Sequence, residues 1–411
     1  MHVELHPRFS DTPEGQSAKA LTAACVHCGF CLTTCPTYLD KRDERDSPRG
    51  RIYLIKQLLE TGEATEQTQL HLDRCLTCRN CETSCPSGMQ YGELLDIGRG
   101  LMEQEAPRPV HSRAFRWLLR NVLTRPKLLT PALRLGQALR PALPNVLRQK
   151  IPPRQPPDRS SMQAATPQPR QDHPRRMLVL EGCVQQAATP NTNAAARRVL
   201  DQLGISLISA PRAGCCGAVN YHLAAHDDGL NDMRRNIDAW WPHIESGAEA
   251  IVSSATGCGA MLVDYGRLLA DDPAYAEKAR RVTELTRDLA EILVNEELQK
   301  LPINTQIGKV AVHPPCTMQH ALQQPLLLDT LLRRAGFDIA TVTDKLLCCG
   351  SAGTYSILQP ATSERVRERM LRSLTGDEPA LIATANIGCQ LHLQAAAGVP
   401  VVHWIELLDC A

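Results

Sequence analysis

The 411-residue sequence has no apolar run approaching the roughly 18 residues needed to cross a bilayer, so a soluble or peripheral chain is expected. It has no charge imbalance either: the formal net charge is +1, and any electrostatic targeting must come from a local patch. The opening stretch MHVELHPRFSDTPEG lacks an apolar signal core, which leads us to expect a reducing, cytoplasmic compartment. No G-x-G-x-x-G segment joins a strand to a helix, so flavin or nicotinamide binding is not expected in this chain. The length suggests two or three domains, since about 100 to 200 residues form each.

What the chain has in abundance is cysteine, 17 in all. In a reducing compartment regularly spaced cysteines point to metal ligands or redox groups rather than disulfides. Cys25, Cys28, Cys31 and Cys35, followed by Pro36, form C-x-x-C-x-x-C-x-x-x-C-P, and Cys75, Cys78, Cys81 and Cys85, followed by Pro86, repeat it. Three thiolates at this spacing wrap one loop around three corners of a [4Fe-4S] cube, and in two-cluster ferredoxins the fourth ligates the other cube. The pattern therefore pairs Cys25, Cys28 and Cys31 with Cys85, and Cys75, Cys78 and Cys81 with Cys35. Competing readings are two four-thiolate zinc sites, or clusters that only brace the fold. His27, between two ligands, reads as a solvated loop residue or a donor to a cluster sulfur.

Between the runs, Ser47 caps and Pro48 begins a helix with an apolar stripe at Ile52, Ile55, Leu58 and Leu59. A second helix is expected from about Glu66 to Leu72, which points to an α-helical ferredoxin. From Ala106 to Lys150 there are ten Lys and Arg and no Asp or Glu. Arg113, Arg116, Arg120, Leu118, Leu119 and Val122 suit a basic amphipathic helix, lying on anionic lipid or packed on a partner subunit. No recognition module for nucleic acid is present. Ile151 to Pro174, rich in Pro, Gln, Arg and Ser, reads as a linker.

The C-terminal half is duplicated. Cys183, Cys215-Cys216-Gly217 and Gly257-Cys258 recur as Cys316, Cys348-Cys349-Gly350 and Gly388-Cys389, with 32 positions from the first cysteine to the pair in both copies. In the first copy MLVLEGC, a helix from Asn193 to Leu203, ISLISA, a helix from about Asp232 to Glu245 and AIVSSATGC alternate. VAVHPPC, LLLDTLLRRAG, FDIATVT and LIATANIGC follow the same order in the second. Such alternation argues for α/β units with parallel sheet, the cysteines falling at strand ends and tight glycine turns. Each copy offers four sulfurs for an additional cluster, a thiol-disulfide centre or a docking surface, the alternative being inert buried thiols. His313 and His392 add nitrogen donors to the second copy, and Cys410 reads as a lone thiol.

These segments resemble the iron-sulfur subunit of bacterial glycolate oxidase, or glycolate dehydrogenase. The resemblance runs through both cysteine runs, SPRGRIYLIKQLLE, PNTNAAARRVLDQLGI, AGCCGAVNYHL, NIDAWWP, LCCGSAGTY, TANIGCQ and HWIELL. It implies flavin-binding partner subunits that carry FAD and oxidise glycolate to glyoxylate, and electron transfer toward a quinone or another membrane acceptor. It implies no catalytic acid or base in this chain. The cluster motif alone is shared with proteins of lactate utilisation, glycerol 3-phosphate oxidation and heterodisulfide reduction. The cysteine-rich chain of heterodisulfide reductase has a further cysteine where this one has Met261 and His392, which argues against a five-cysteine cluster of that kind here.

The expected architecture is α+β and multidomain: a two-cluster α-helical ferredoxin over 1–105, a basic arm and linker over 106–173, and cysteine-rich (CCG) α/β repeats over 174–300 and 301–411. The expected role is electron relay, from the cytoplasm and peripheral to the inner face of the plasma membrane. The rivals are the equivalent subunit of a lactate or glycerol 3-phosphate dehydrogenase and a scaffold without redox function.

Overall fold

The computed structural model describes residues 1–142, 144, 148, 151–154 and 172–409, so Cys410 and most of the expected linker lie outside the described residues. Two compact units emerge. The first comprises Met1–Leu119 with Val219–Asp227 and Leu346–Met370; the second comprises Arg120–Ala218, Asp228–Lys345 and Leu371–Ala411.

The first unit is helical. Helix α1 spans Pro13–Ala23, α2 Pro48–Thr61, α3 Glu66–Asp73 and α4 Tyr91–Glu105. Helix α2 starts where its sequence says it should, with Ser47 Oγ accepting from Gly50 N at 2.9 Å. It stops at Gly62, whose φ of 71° returns its N–H to Leu58 O. Ile52, Ile55, Leu58 and Leu59 are buried against α1 and α4, each contributing about 1.5–3 kcal/mol. Thr65 caps α3 through Thr68 N. Segments from far along the chain complete the unit: Tyr355 donates to Arg74 O at 3.2 Å, Asn80 Nδ2 to Leu346 O at 3.2 Å, and Arg365 pairs with Asp40.

The basic arm forms helices α5, Val110–Leu123, and α6, Pro126–Leu139. Two arginines of its expected cationic face turn to carboxylates instead: Arg116 binds Asp73 at 2.8 Å and Arg120 binds Asp228 at 2.9 Å. Phe115, Trp117 and Leu118 of α5 are exposed, as are Leu128, Leu135 and Leu139 of α6. No described helix is long and apolar enough to cross a membrane.

The second unit holds two small parallel sheets. In the first, β1 (Arg175–Leu180), β2 (Ile205–Ser209), β3 (Ile251–Ser253) and β4 (Thr286–Asp288) take the order β2-β1-β3-β4. In the second, β5 (Val310–His313), β6 (Leu381–Thr384) and β7 (Val401–His403) lie in the order β5-β6-β7. FDIATVT, expected as a strand beside β5, makes only one bridge, Ile339 with Val310. Ala340 N donates to Val310 O at 3.0 Å, and past this bridge the backbone turns to side chains, Thr341 N donating to the Asp377 carboxylate at 2.9 Å and Asp344 N to Ser373 Oγ at 2.8 Å. With that bridge counted as a vestigial strand, both copies share one strand order, which is the duplication seen in space. Leu200, Val252, Val310, Leu331, Ala383 and Trp404 belong to one core that joins the copies.

Candidate metal centres

The two N-terminal runs fold into matching loops. The residue before the second cysteine of each run has a left-handed backbone, His27 at φ 60° and Thr77 at φ 54°, and so does the residue after it, Gly29 at 85° and Arg79 at 59°. Alternation of this kind turns successive N–H groups inward and forms a nest for an anionic group. Non-glycine residues accept that backbone at three of the four positions, a strain characteristic of functional loops. His27 is exposed, and its carbonyl accepts from Arg49 Nη1 at 3.4 Å.

Cys25, Cys28, Cys31, Cys81 and Cys85 line one cavity, together with Pro48, Ile52, Met89 and Tyr91. The second run thus brings two of its cysteines to the cavity of the first. Burial pushes the Cys31 thiol up to about 11, with Cys25 and Cys35 adding to it. At Cys85 burial acts in the same sense but is outweighed by hydrogen bonding from the Ser87 hydroxyl and from the Met89, Ser87 and Gly88 N–H groups, so its thiol titrates below the usual value. Cys81 is buried and held well above the usual thiol range, by burial first and then by Cys78, Cys75 and Cys35. Cys35 is thus an electrostatic neighbour of the second run.

The donor chemistry fits iron-sulfur clusters. All sixteen described cysteines are free thiols. Tyr91, which lines the cavity of the first run, has a buried hydroxyl directed at Cys75. Burial and then Cys75 disfavour its ionisation, so it remains a donor close to sulfur. A buried hydroxyl donor directed at a thiol among converging cysteines suits a cluster-ligating sulfur.

Beside these thiols lies a charged network that the cysteine pattern did not disclose. Asp46 is fully buried and faces Arg51 at 3.5 Å, His71 Nδ1 at 2.9 Å and Arg74 at 3.1 Å. Its sequence signal is Arg51 itself, a cation placed in register with the apolar stripe of α2 at Ile55, Leu58 and Leu59.

In the second unit the four sulfurs of the first repeat converge. The Cys183 and Cys215 sulfurs lie 3.5 Å apart, and the Cys216 thiol is in hydrogen-bond contact with Cys215 and Cys258. The Cys183 and Cys216 thiols, directed at the Cys215 sulfur, hold it well below the ordinary thiol value despite burial, and Gly217 N–H adds to this. The loop is clamped by its carbonyls: Asn236 Nδ2 donates to Cys215 O at 2.8 Å and Tyr265 Oη to Cys216 O at 2.8 Å. Gly217, at φ 92°, has the Gly229 carbonyl 2.8 Å from where a Cβ would stand. The second repeat has the same turn, Gly350 at φ 87° with Ser363 O at 2.4 Å. Cys348 and Cys349 are buried in the first unit, whereas Cys316 precedes a π-helical turn and Cys389 is buried in the helix Ile387–Gln394, both in the second. His313 is buried, with Nδ1 2.9 Å from Thr384 Oγ1, and His392 is buried on the helix of Cys389.

Family models agree with this division of labour. One described as a 4Fe-4S dicluster domain matches residues 24–90, and one described as a cysteine-rich domain matches twice, at 177–263 and 310–394. Fold and matches together define an iron-sulfur protein built from a dicluster domain and a pair of cysteine-rich domains. Over 411 residues the chain is 50% identical to the glycolate oxidase iron-sulfur subunit of Escherichia coli (strain K12), covering 100% of this chain and 99% of that one. It is 28% identical to the probable glycolate oxidase iron-sulfur subunit of Bacillus subtilis (strain 168), over 93% of this chain and 92% of that one. The chain belongs to the family of glycolate oxidase iron-sulfur subunits. Lactate utilization protein A of Shouchella clausii (strain KSM-K16) is 26% identical over 51% of this chain and 87% of its own length. A hypothetical protein from Helicobacter pylori shares the fold at a TM-score of 0.55 and 9% identity, over 97% of this chain and 72% of that one.

Proposed function

We propose that this chain relays electrons within a flavin-dependent complex that oxidises glycolate to glyoxylate. Its N-terminal domain, residues 1–105, holds one [4Fe-4S] cluster on Cys25, Cys28, Cys31 and Cys85 and another on Cys35, Cys75, Cys78 and Cys81. When bound, the clusters supply one-electron carriers side by side, suited to draining a two-electron flavin in two steps. The observation that carries this reading is the cavity in which three cysteines of one run meet Cys81 and Cys85 of the other.

The chain's own residues do the positioning. The left-handed loop residues orient the thiols, the Ser87 hydroxyl and nearby N–H groups favour the Cys85 thiolate, and Ile52, Met89 and Tyr91 exclude water from one side. Flavin stays on partner subunits, and substrate acid-base chemistry with it. Residues 106–173 act as arm and linker, with the exposed Phe115, Trp117 and Leu118 resting on the inner face of the plasma membrane near a quinone acceptor. The repeats, 174–300 and 301–411, carry further redox or metal chemistry: Cys183, Cys215, Cys216 and Cys258 come together as such a site, and Cys316, Cys348, Cys349 and Cys389 are the equivalent thiols of the second copy.

The test is anaerobic addition of glycolate to the purified complex. The reading requires cluster signals to be reduced through the flavin partner. Reduction by lactate or glycerol 3-phosphate alone would transfer the chain to one of those systems, and a scaffold would show no reduction by any substrate.

A further inference from the structure

Arg51 is fully buried on the inner face of α2. Its Nε donates to His71 O at 2.7 Å, and its Nη2 donates to Thr37 Oγ1 at 3.1 Å. Thr37 Oγ1 in turn lies 3.3 Å from Cys35 Sγ. A permanent positive charge therefore stands one hydroxyl away from a proposed cluster ligand. Burial alone would lower the guanidinium's proton affinity, but Tyr91, Cys75, Cys35 and Asp46 raise it above the ordinary arginine value, so the charge is retained.

The surroundings of the two runs differ in sign balance. Asp46 answers both Arg51 and Arg74, and Arg99 adds a third guanidinium, donating to Cys75 O at 3.0 Å. Beside the first run, Arg49 is neutralised by Glu44 at 2.7 Å, and both are partly open to water. Uptake of one electron makes a cluster one unit more negative, with no bond or proton changing place. A cation fixed in a low-dielectric interior favours that reduced form.

We propose that Arg51 raises the reduction potential of the cluster on Cys35, Cys75, Cys78 and Cys81, and that Asp46 is the counter-charge limiting the rise. The proposal rests on the crossed ligand sets above. Arg51 is a positioning residue in this scheme, since it acts on the cluster through space and through Thr37.

The experiment is a dithionite titration of the full-length cluster-loaded protein, followed by electron paramagnetic resonance, for wild type, R51Q, R51K and D46N. R51Q is expected to move the midpoint of one cluster to lower potential and leave the other in place. R51K, which keeps the charge, stays near wild type, and D46N moves the same cluster upward. A merely structural role does not produce shifts of opposite sign. Should R51Q not fold, D46N still decides: an unmoved or lowered midpoint overturns the proposal, as do equal shifts in both clusters. C35S identifies the cluster concerned. If the cluster moved by R51Q or D46N is instead the one altered by C85S, the ligand assignment fails while an electrostatic effect of Arg51 stands.

Discussion

Thr34 and Ser84 share a hydrogen bond between their hydroxyls at 2.9 Å, although 50 positions separate them. Each immediately precedes the last cysteine of its run. Equivalent positions of the two runs thus touch, as they do where two related loops cross about a local twofold. Cys85 lines the cavity of the first run's thiols and Cys35 is an electrostatic neighbour of Cys81, as the proposed ligand exchange requires.

Cys35→Ser is accordingly expected to damage the cluster whose other ligands are Cys75, Cys78 and Cys81, and Cys85→Ser the one held by Cys25, Cys28 and Cys31. Resonance spectra of the two variants, recorded against wild type, check this. Loss of the cluster in the variant's own run would reverse the pairing.

The glycine turns of the repeats make a second expectation. An alanine at either site must adopt a left-handed backbone, costing about 1–2 kcal/mol, and its Cβ then meets a carbonyl oxygen. G350A should lower the thermal midpoint more than G217A, because Ser363 O stands at 2.4 Å and Gly229 O at 2.8 Å. Equal or negligible effects would show that these loops relax freely.

Two buried groups predict how stability varies with pH. Burial pushes Asp288, which caps the helix Leu289–Leu293, up to about 7, so the folded chain holds its proton where the unfolded chain has lost it. Its contribution is present below pH 3.8 and is lost as pH rises through 7, amounting to about 4 kcal/mol at most. Burial lowers His403 to about 4, so its contribution is present above pH 6.5 and lost as pH falls through 4. The two windows overlap with opposite slopes and offset one another between about pH 4 and 6.5, so removing the Asp288 carboxyl in D288N should leave a denaturant midpoint that climbs more steeply with pH across that range than in wild type. A profile in D288N that keeps the wild-type slope would place the effect elsewhere.

The arm bears on partner choice. Deleting residues 106–150 is expected to reduce sedimentation of the assembled complex with anionic vesicles several-fold. Unchanged sedimentation would assign the exposed Phe115, Trp117 and Leu118 to a protein partner.

Much of this was legible in the sequence, and the reasons differ by element. Cysteine spacing is a local constraint, so the metal-binding runs could be read without tertiary information. Helix α2 was equally plain because Ser47, Pro48 and the apolar stripe agree. FDIATVT misled because β propensity does not show that the backbone past its one bridge turns to the side chains of Asp377 and Ser373. The short β4, Thr286–Asp288, gave no signal, its three residues showing no apolar alternation. Arg116 read as a cation for lipid or a partner subunit because Asp73, its partner within the chain, lies 43 positions away. The buried Asp46 network escaped for the same reason, since Arg51 acquires meaning only when His71 and Cys35 are brought to it.

Iron and acid-labile sulfide analysis of anaerobically purified protein, combined with electron paramagnetic resonance of the reduced form, addresses the central claim most directly. The account predicts iron and sulfide in equal amounts, sufficient for at least two cubes, and the resonance of two interacting reduced clusters. Colourless protein carrying zinc in place of iron, or a single isolated cluster, would contradict it.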